Sequence, residues 1–374
     1  MIVCRRLFAL LPVLTVALGC SAPDARRSGD CTSCGTVVIA AAGEPTTLLP
    51  PLVMETVGRD IGDLLFERLA DLAPGGAPVD SAAFRPRLAA RWERVDSVDL
   101  RFHLRPGARW HDGRPVTAED VVFSFESYAD SALDAQALPY IANRIAVVAE
   151  DSATVRMHFA QASPEQLYDA TYHVRILPRH IWAAIPRASW AADTTMAHLI
   201  GSGPYRFASW QRGQTLSLVA DTAAARPPAI RRVVWRFTGD PDAALNLVLS
   251  HEADLLERIG TAPQVARVAA DSSFRVVTYP AAVFGFLAFR LADSAARPHP
   301  VLSDIAVRRA LAAATDRATL GRSLIGPDTR VPGGPMSHLL WIGTDSARGI
   351  AFDTAAAAHM LDSAGWVRPA GGAV

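Results

Sequence analysis

Residues 99–128 set the tightest limits on what this chain can fold into. DLRFHLR (99–105) alternates without a break. Leu100, Phe102 and Leu104 point one way, and Arg101, His103 and Arg105 the other, which is the period of a half-buried strand. The period then changes. Asp112-Gly113 carries turn chemistry, because glycine tolerates positive φ and aspartate bonds its own backbone. Thr117 stands as a helix cap with Asp120 as its box partner, Glu119 and Asp120 place negative charge in the first turn, and Val121, Val122, Phe125 and Tyr128 share one helical face. Asp112, Glu119 and Asp120 therefore all have local structural roles. His111 has none, and reads as a surface histidine on a turn rather than a catalytic group. A strand, a turn and a capped helix in one short stretch point to a mixed α/β chain.

The same two periods recur in mixed order. TVVIAAA (36–42) reads as a buried strand, and EPTTLLPP (44–51) follows as a loop. GRDIGDLLFERLAD (58–71) sets apolar residues at 61, 64, 65 and 69 and predicts a helix. TVRMHF (154–159) alternates as a strand. SPEQ (163–166) predicts a helix start, with Ser163 as cap, Pro164 in the first turn and Gln166 closing the box. GPYRFASWQRGQTLSLVA (203–220) predicts a hairpin turning at Gln211–Gln214. Asp240-Pro241 opens a helix through Leu249, VFGFLAFRL (283–291) predicts a strand, and SDIAVRRALAAAT (303–315) predicts a helix. Asp316 caps the next helix and Asp353 a last one, with Gly365 past its end. There is no strict alternation of strand and helix and no internal repeat.

Composition narrows the function. At 374 residues, half of them apolar, the chain can bury a sizeable core in about two or three domains. Basic and acidic residues balance at 37 each, so nothing favours nucleic acid or an acidic membrane as partner. Every basic residue is an arginine, which excludes a lysine Schiff base and the lysine of a phosphate-binding loop. There is no G-x-S-x-G and no H-E-x-x-H, and the ten histidines are scattered. The sequence thus offers no catalytic residue, no metal site and no cofactor, and the expectation is a protein that is not an enzyme.

Arg5 and Arg6 precede LFALLPVLTVAL (7–18), an apolar run too short to span a membrane and read as an export signal. It ends in ALGC (17–20), which resembles the lipobox of bacterial lipoproteins. By that resemblance residues 1–19 are a lipoprotein signal peptide and Cys20 is lipidated. Residues 20–35 form a polar tail that holds Cys31-Thr-Ser-Cys34. A redox motif wants a βαβ setting and a zinc site two more ligands, so the pair reads as a candidate disulfide closing a small loop.

LRPGARWHDGRPVTAEDVVFSFE (104–126) resembles the signature of the family 5 extracellular solute-binding proteins, the oligopeptide- and dipeptide-binding components of ABC importers. EPTTLLPP, LLFERLADL (64–72), GSGPYRFASWQRG (201–213), HEADLL (251–256), AVRRALAAATDRATL (306–320) and FDTAAAAHMLDSAGW (352–366) are similar to further family segments, in the family's order. The resemblance implies a two-lobed α/β periplasmic-binding-protein fold of class II type with a subdomain inserted in the first lobe. Lobe I would hold residues 36–74 and 192–276, the insertion 75–191, and lobe II 277–374.

It further implies a monomer that captures di- or oligopeptides between the lobes and hands them to the membrane permease of an importer. It would be tethered to the cell envelope by lipid and bind no nucleic acid. Backbone bonds would hold the peptide while wet pockets accept its side chains. Cleft contacts would fall on Met54, Glu55, Thr56 and Val57, on Tyr140 in the insertion, and on Phe284 and Phe286, whose spacing puts both on one face of a strand. Family members continue beyond the A-G-W segment, so lobe II is expected to be incomplete and the chain a fragment. The aspartate that grips a peptide's amino terminus in the family has no counterpart here, and Arg290 stands where the family usually has Asn. The rival readings keep the scaffold and change the ligand to a metal chelate, sugar or opine, or make the protein a signalling receptor or an inactive fragment.

Overall fold

The structure is a computed structural model and describes residues 33–278, 285–326, 329–334 and 349–367. The chain enters on β1 (Cys34–Ala41), whose apolar run becomes buried toward its end. It returns through α1 (Thr56–Leu65), which buries Ile61 and Leu65. The helix expected over 58–71 stops at Leu65, where Phe66 turns extended. The Leu65 carbonyl is taken at 2.9 Å by the N–H of Gly203, and the Gly201 and Gly203 backbones lie flat against Leu64 and Leu65. Leu69 keeps its helical spacing in the sequence but is buried beyond the helix, next to β2 (Ala70–Leu72), which pairs with β3 (Phe84–Pro86).

Next comes an antiparallel sheet in the order β4-β5-β7-β6, built from β4 (Ala89–Arg94), β5 (Asp99–Leu104), β6 (Ile145–Ala149) and β7 (Thr154–Phe159). Its inner face is the alternation read from the sequence, with Leu100, Phe102, Val155 and Met157 buried. Against it lies α2 (Ala118–Tyr128), opened by the Thr117–Asp120 capping box. The connections hold α3 (Leu138–Ile141), α4 (Gln166–Tyr172) and α5 (Arg179–Trp182). α4 begins two residues later than SPEQ suggested, with Glu165 rather than Ser163 as the residue before it. The Ser163 hydroxyl caps only Glu165 N, while Gln166 is fully buried and spends its amide on the carbonyls of Ser97 and Gln161.

The chain then rejoins β1. The hairpin β8 (Tyr205–Gln211) and β9 (Thr215–Ala220), then β10 (Ile230–Phe237), α6 (Pro241–Leu249) and β11 (Leu255–Leu256), complete a five-stranded sheet in the order β11-β1-β10-β9-β8. β1 runs parallel to both β10 and β11, and the other pairs are antiparallel. One face packs Ile39, Leu216, Leu218 and Trp235 into a core continuous with that of the four-stranded sheet. The other is covered by α6 through Ala40, Ala244 and Val248.

Beyond α7 (Ala262–Ala269) lie α8 (Ile305–Ala314), α9 (Arg317–Leu324) and α10 (Thr354–Ser363). Asp304, Asp316 and Asp353 each cap their helix by accepting a backbone N–H, and Gly365 follows α10 with φ +84°. α8 and α10 pack through Ala310, Ala313 and Ala357. The strand expected over 283–291 is not formed among its described residues 285–291, and Leu287 there is 77% exposed.

Candidate functional site

Because β11, β1 and β10 run parallel, their carboxyl ends share one edge, and the segments leaving them meet there. In open α/β sheets that edge is where ligands bind. The first segment, 42–55, is tightly held. Glu44 accepts from Trp210 Nε1 at 2.6 Å and from Gly213 N at 2.9 Å. Arg212, its guanidinium 3.5 Å from the Trp210 ring centroid, donates to the carbonyls of Pro45 and Thr46. The hairpin read from GPYRFASWQRG thus clamps the loop after the first strand.

Met54, Glu55, Thr56 and Val57 form one turn at the start of α1 on this edge. Met54 and Thr56 are exposed and Val57 is half-buried. Glu55 is the residue before the helix, and its carboxylate is already engaged by Thr46 Oγ1 at 2.5 Å and Thr46 N at 3.1 Å. Partial burial raises its pKa, but the bonds from Thr46 and the nearby backbone outweigh this and hold it below the usual glutamate value. Arg59 Nη2 closes the turn by donating to the Met54 carbonyl at 2.6 Å.

The other expected residues lie elsewhere. Tyr140 is 50% exposed and stacks on His173 at 4.3 Å, in an aromatic group with Tyr168 and Tyr172. Phe286 is 76% exposed, while Phe284, Cys20 and Cys31 lie outside the described residues. Cys34 is disulfide-bonded. Two acids were missed. Asp60 on α1 and Glu257 just past β11 both have raised pKa values, from burial first, then from Asp63 for Asp60 and from Asp60 for Glu257. They come together only because β11 joins β1 in the sheet, which no local pattern announces. Beside them a chain of ion pairs runs along α1. Arg175 and Arg68 both meet Asp63, at 2.6 and 2.9 Å, and Asp71 joins Arg68 at 3.6 Å to Arg87 at 2.5 Å. Among the described residues no three His, Cys, Asp or Glu converge as metal ligands, and no helix is long and apolar enough to cross a membrane.

His111, read as a surface residue, is buried. Its Nδ1 accepts from Gly201 N at 3.1 Å, its Nε2 lies 3.0 Å from the Gly203 carbonyl, and its own N–H donates to the Gly201 carbonyl at 2.8 Å. It staples the W-H-D-G turn to the G-S-G segment against the end of α1. Burial is the main reason its pKa lies below the ordinary histidine value. The unfolded chain therefore takes up this proton at a higher pH than the folded one. The resulting stability is fully present above about pH 6.5 and is lost as pH falls below it. Urea unfolding between pH 8 and 5 should show this loss, and His111→Gln should flatten the slope.

The model of the bacterial extracellular solute-binding proteins, family 5 Middle, matches residues 83–374. The chain belongs to this family. Among its family 5 relatives, a Brucella ovis protein named as an ABC transporter peptide-binding protein is 27% identical over 266 residues, 69% of this chain and 48% of its own. The dipeptide-binding protein of Escherichia coli is 24% identical over 353 residues, 88% of this chain and 63% of its own. The oligopeptide-binding protein AppA of Bacillus subtilis, solved with a nonapeptide, superposes with a TM-score of 0.70 at 21% identity, over 90% of this chain and 65% of AppA. The family 5 chain thus has the two-lobed α/β fold and spans about half to two-thirds of the length of these relatives.

Proposed function

We propose that this chain belongs to an extracytoplasmic, lipid-anchored protein that captures peptides and delivers them to an ABC importer. Residues 36–74 and 192–276 form lobe I, 75–191 its insertion, and 277–374 the start of lobe II. Cys20 carries the lipid. The observation that carries the reading is the shared carboxyl edge of β11, β1 and β10, with the Met54–Val57 turn seated on it, in a family 5 chain. The exposed side chains there, Met54 and Thr56, are one apolar and one polar, which suits a ligand of varied side chains. The peptide-binding names of the relatives point the same way.

Thermal unfolding in the presence of mixed di- to nonapeptides, sugars and metal chelates tests it. A bound peptide at a hundred times its Kd should add about 2.7 kcal/mol of stability. Stabilisation by a sugar or chelate, with no response to any peptide, would overturn the peptide reading. Glu55→Ala frees the Thr46 loop and the start of α1. It should weaken peptide binding by about 1–1.5 kcal/mol, roughly tenfold, in calorimetric titration.

A further inference from the structure

Toward the end of α1 farthest from the Met54–Val57 turn lies an open-mouthed cavity of about 290 Å³. From Val57 to Leu64 the helix advances seven residues, about 10 Å along its axis. The cavity lies at the amino-terminal edge of the parallel strands, where the 221–229 link enters β10. Its polar lining is Glu67, Arg87, Ser202 and Arg226, and its apolar walls include Leu64 and Pro204.

The charges around it are unevenly matched. Arg105 holds both Glu67 oxygens, at 3.4 and 3.1 Å, and Asp71 is held by Arg87 Nε and by Arg68. Arg87 thus spends only Nε, and neither of its terminal nitrogens makes a hydrogen bond to another described residue. Arg226 spends only Nη2, on the Pro86 carbonyl at 3.2 Å, which anchors it beside the Arg87 backbone. Half-buried Arg87 and exposed Arg226 therefore both turn planar N–H groups not bonded to a described residue toward one small cavity, whose acid, Glu67, is paired to Arg105 although burial still holds its pKa above the usual value. Paired N–H donors of this kind match the two oxygens of a carboxylate.

We propose that this cavity is a second site, distinct from the carboxyl edge of the parallel strands, for a small organic carboxylate. The carboxylate sits between Arg87 and Arg226, and a short hydrocarbon body lies against Leu64, Pro204 and Pro228. The proposal is independent of the peptide reading.

Benzoate is a suitable probe, with neutral benzamide as its control, titrated calorimetrically into the whole protein and two variants whose fold is checked by circular dichroism. Benzoate should bind one to one, at least fivefold more tightly than benzamide. Arg226→Gln should weaken benzoate at least fivefold, and Glu55→Ala, at the far end of α1, should leave it unchanged. Equal binding of benzamide, an unchanged benzoate affinity in Arg226→Gln, a loss confined to Glu55→Ala, or no benzoate binding at all would each overturn the proposal.

Discussion

Gly201→Ala should cost about 3 kcal/mol or more, or prevent folding outright. A β-carbon at Gly201 would stand 1.8 Å from the Leu65 carbonyl oxygen, and backbone cannot swing aside as a flexible side chain can. The strain would fall on three things at once: the end of α1, the start of the β8–β9 hairpin, and the His111 staple. Gly239→Ala is the control, because a β-carbon there meets nothing within 4 Å. It should change stability by less than about 0.5 kcal/mol. Comparable urea midpoints for the two variants would show that the 201–203 segment yields, and that α1 does not depend on it for its end.

Asp120→Ala should be the second most damaging change, at about 3 kcal/mol. This buried carboxylate accepts from Thr117 N at 2.8 Å, Thr117 Oγ1 at 3.1 Å, Arg179 N at 2.9 Å and Trp110 Nε1 at 3.4 Å. Alanine would strand several of these donors in the core, and each unsatisfied buried group costs about 1–3 kcal/mol. Asp120→Asn keeps acceptor capacity on one oxygen and should lose roughly half as much. Equal losses for Ala and Asn would show that the negative charge at the helix start, rather than the number of bonds, carries the effect.

The two variants mark where the sequence was readable and where it was not. Asp120 could be placed from its neighbours, because a capping box is complete within four residues. Asp240, Asp316 and Asp353 were equally legible, as was the alternation of Leu100 and Phe102. Distant contacts were not. The apolar spacing through Leu69 extends the helical pattern, but α1 is ended by glycines at 201 and 203. His111 looked idle because its partners lie ninety residues away. The 283–291 run carries strand periodicity, yet its described residues 285–291 form no strand. At the site, Met54–Val57 could be named only through family resemblance. Asp60 and Glu257 went unseen because sheet order alone unites them.

The arginine-only ion pairs along α1 have a consequence in alkali. A lysine in their place would begin to lose its charge near pH 10, whereas guanidinium does not deprotonate in proteins. Every positive partner in the Arg175–Asp63–Arg68–Asp71–Arg87 chain is such a guanidinium. The phenol of Tyr128, which accepts from Arg175 N, is itself pushed up to about 12 by burial. Rising pH would therefore not unpair this network from its positive side, as it would a network built on lysine.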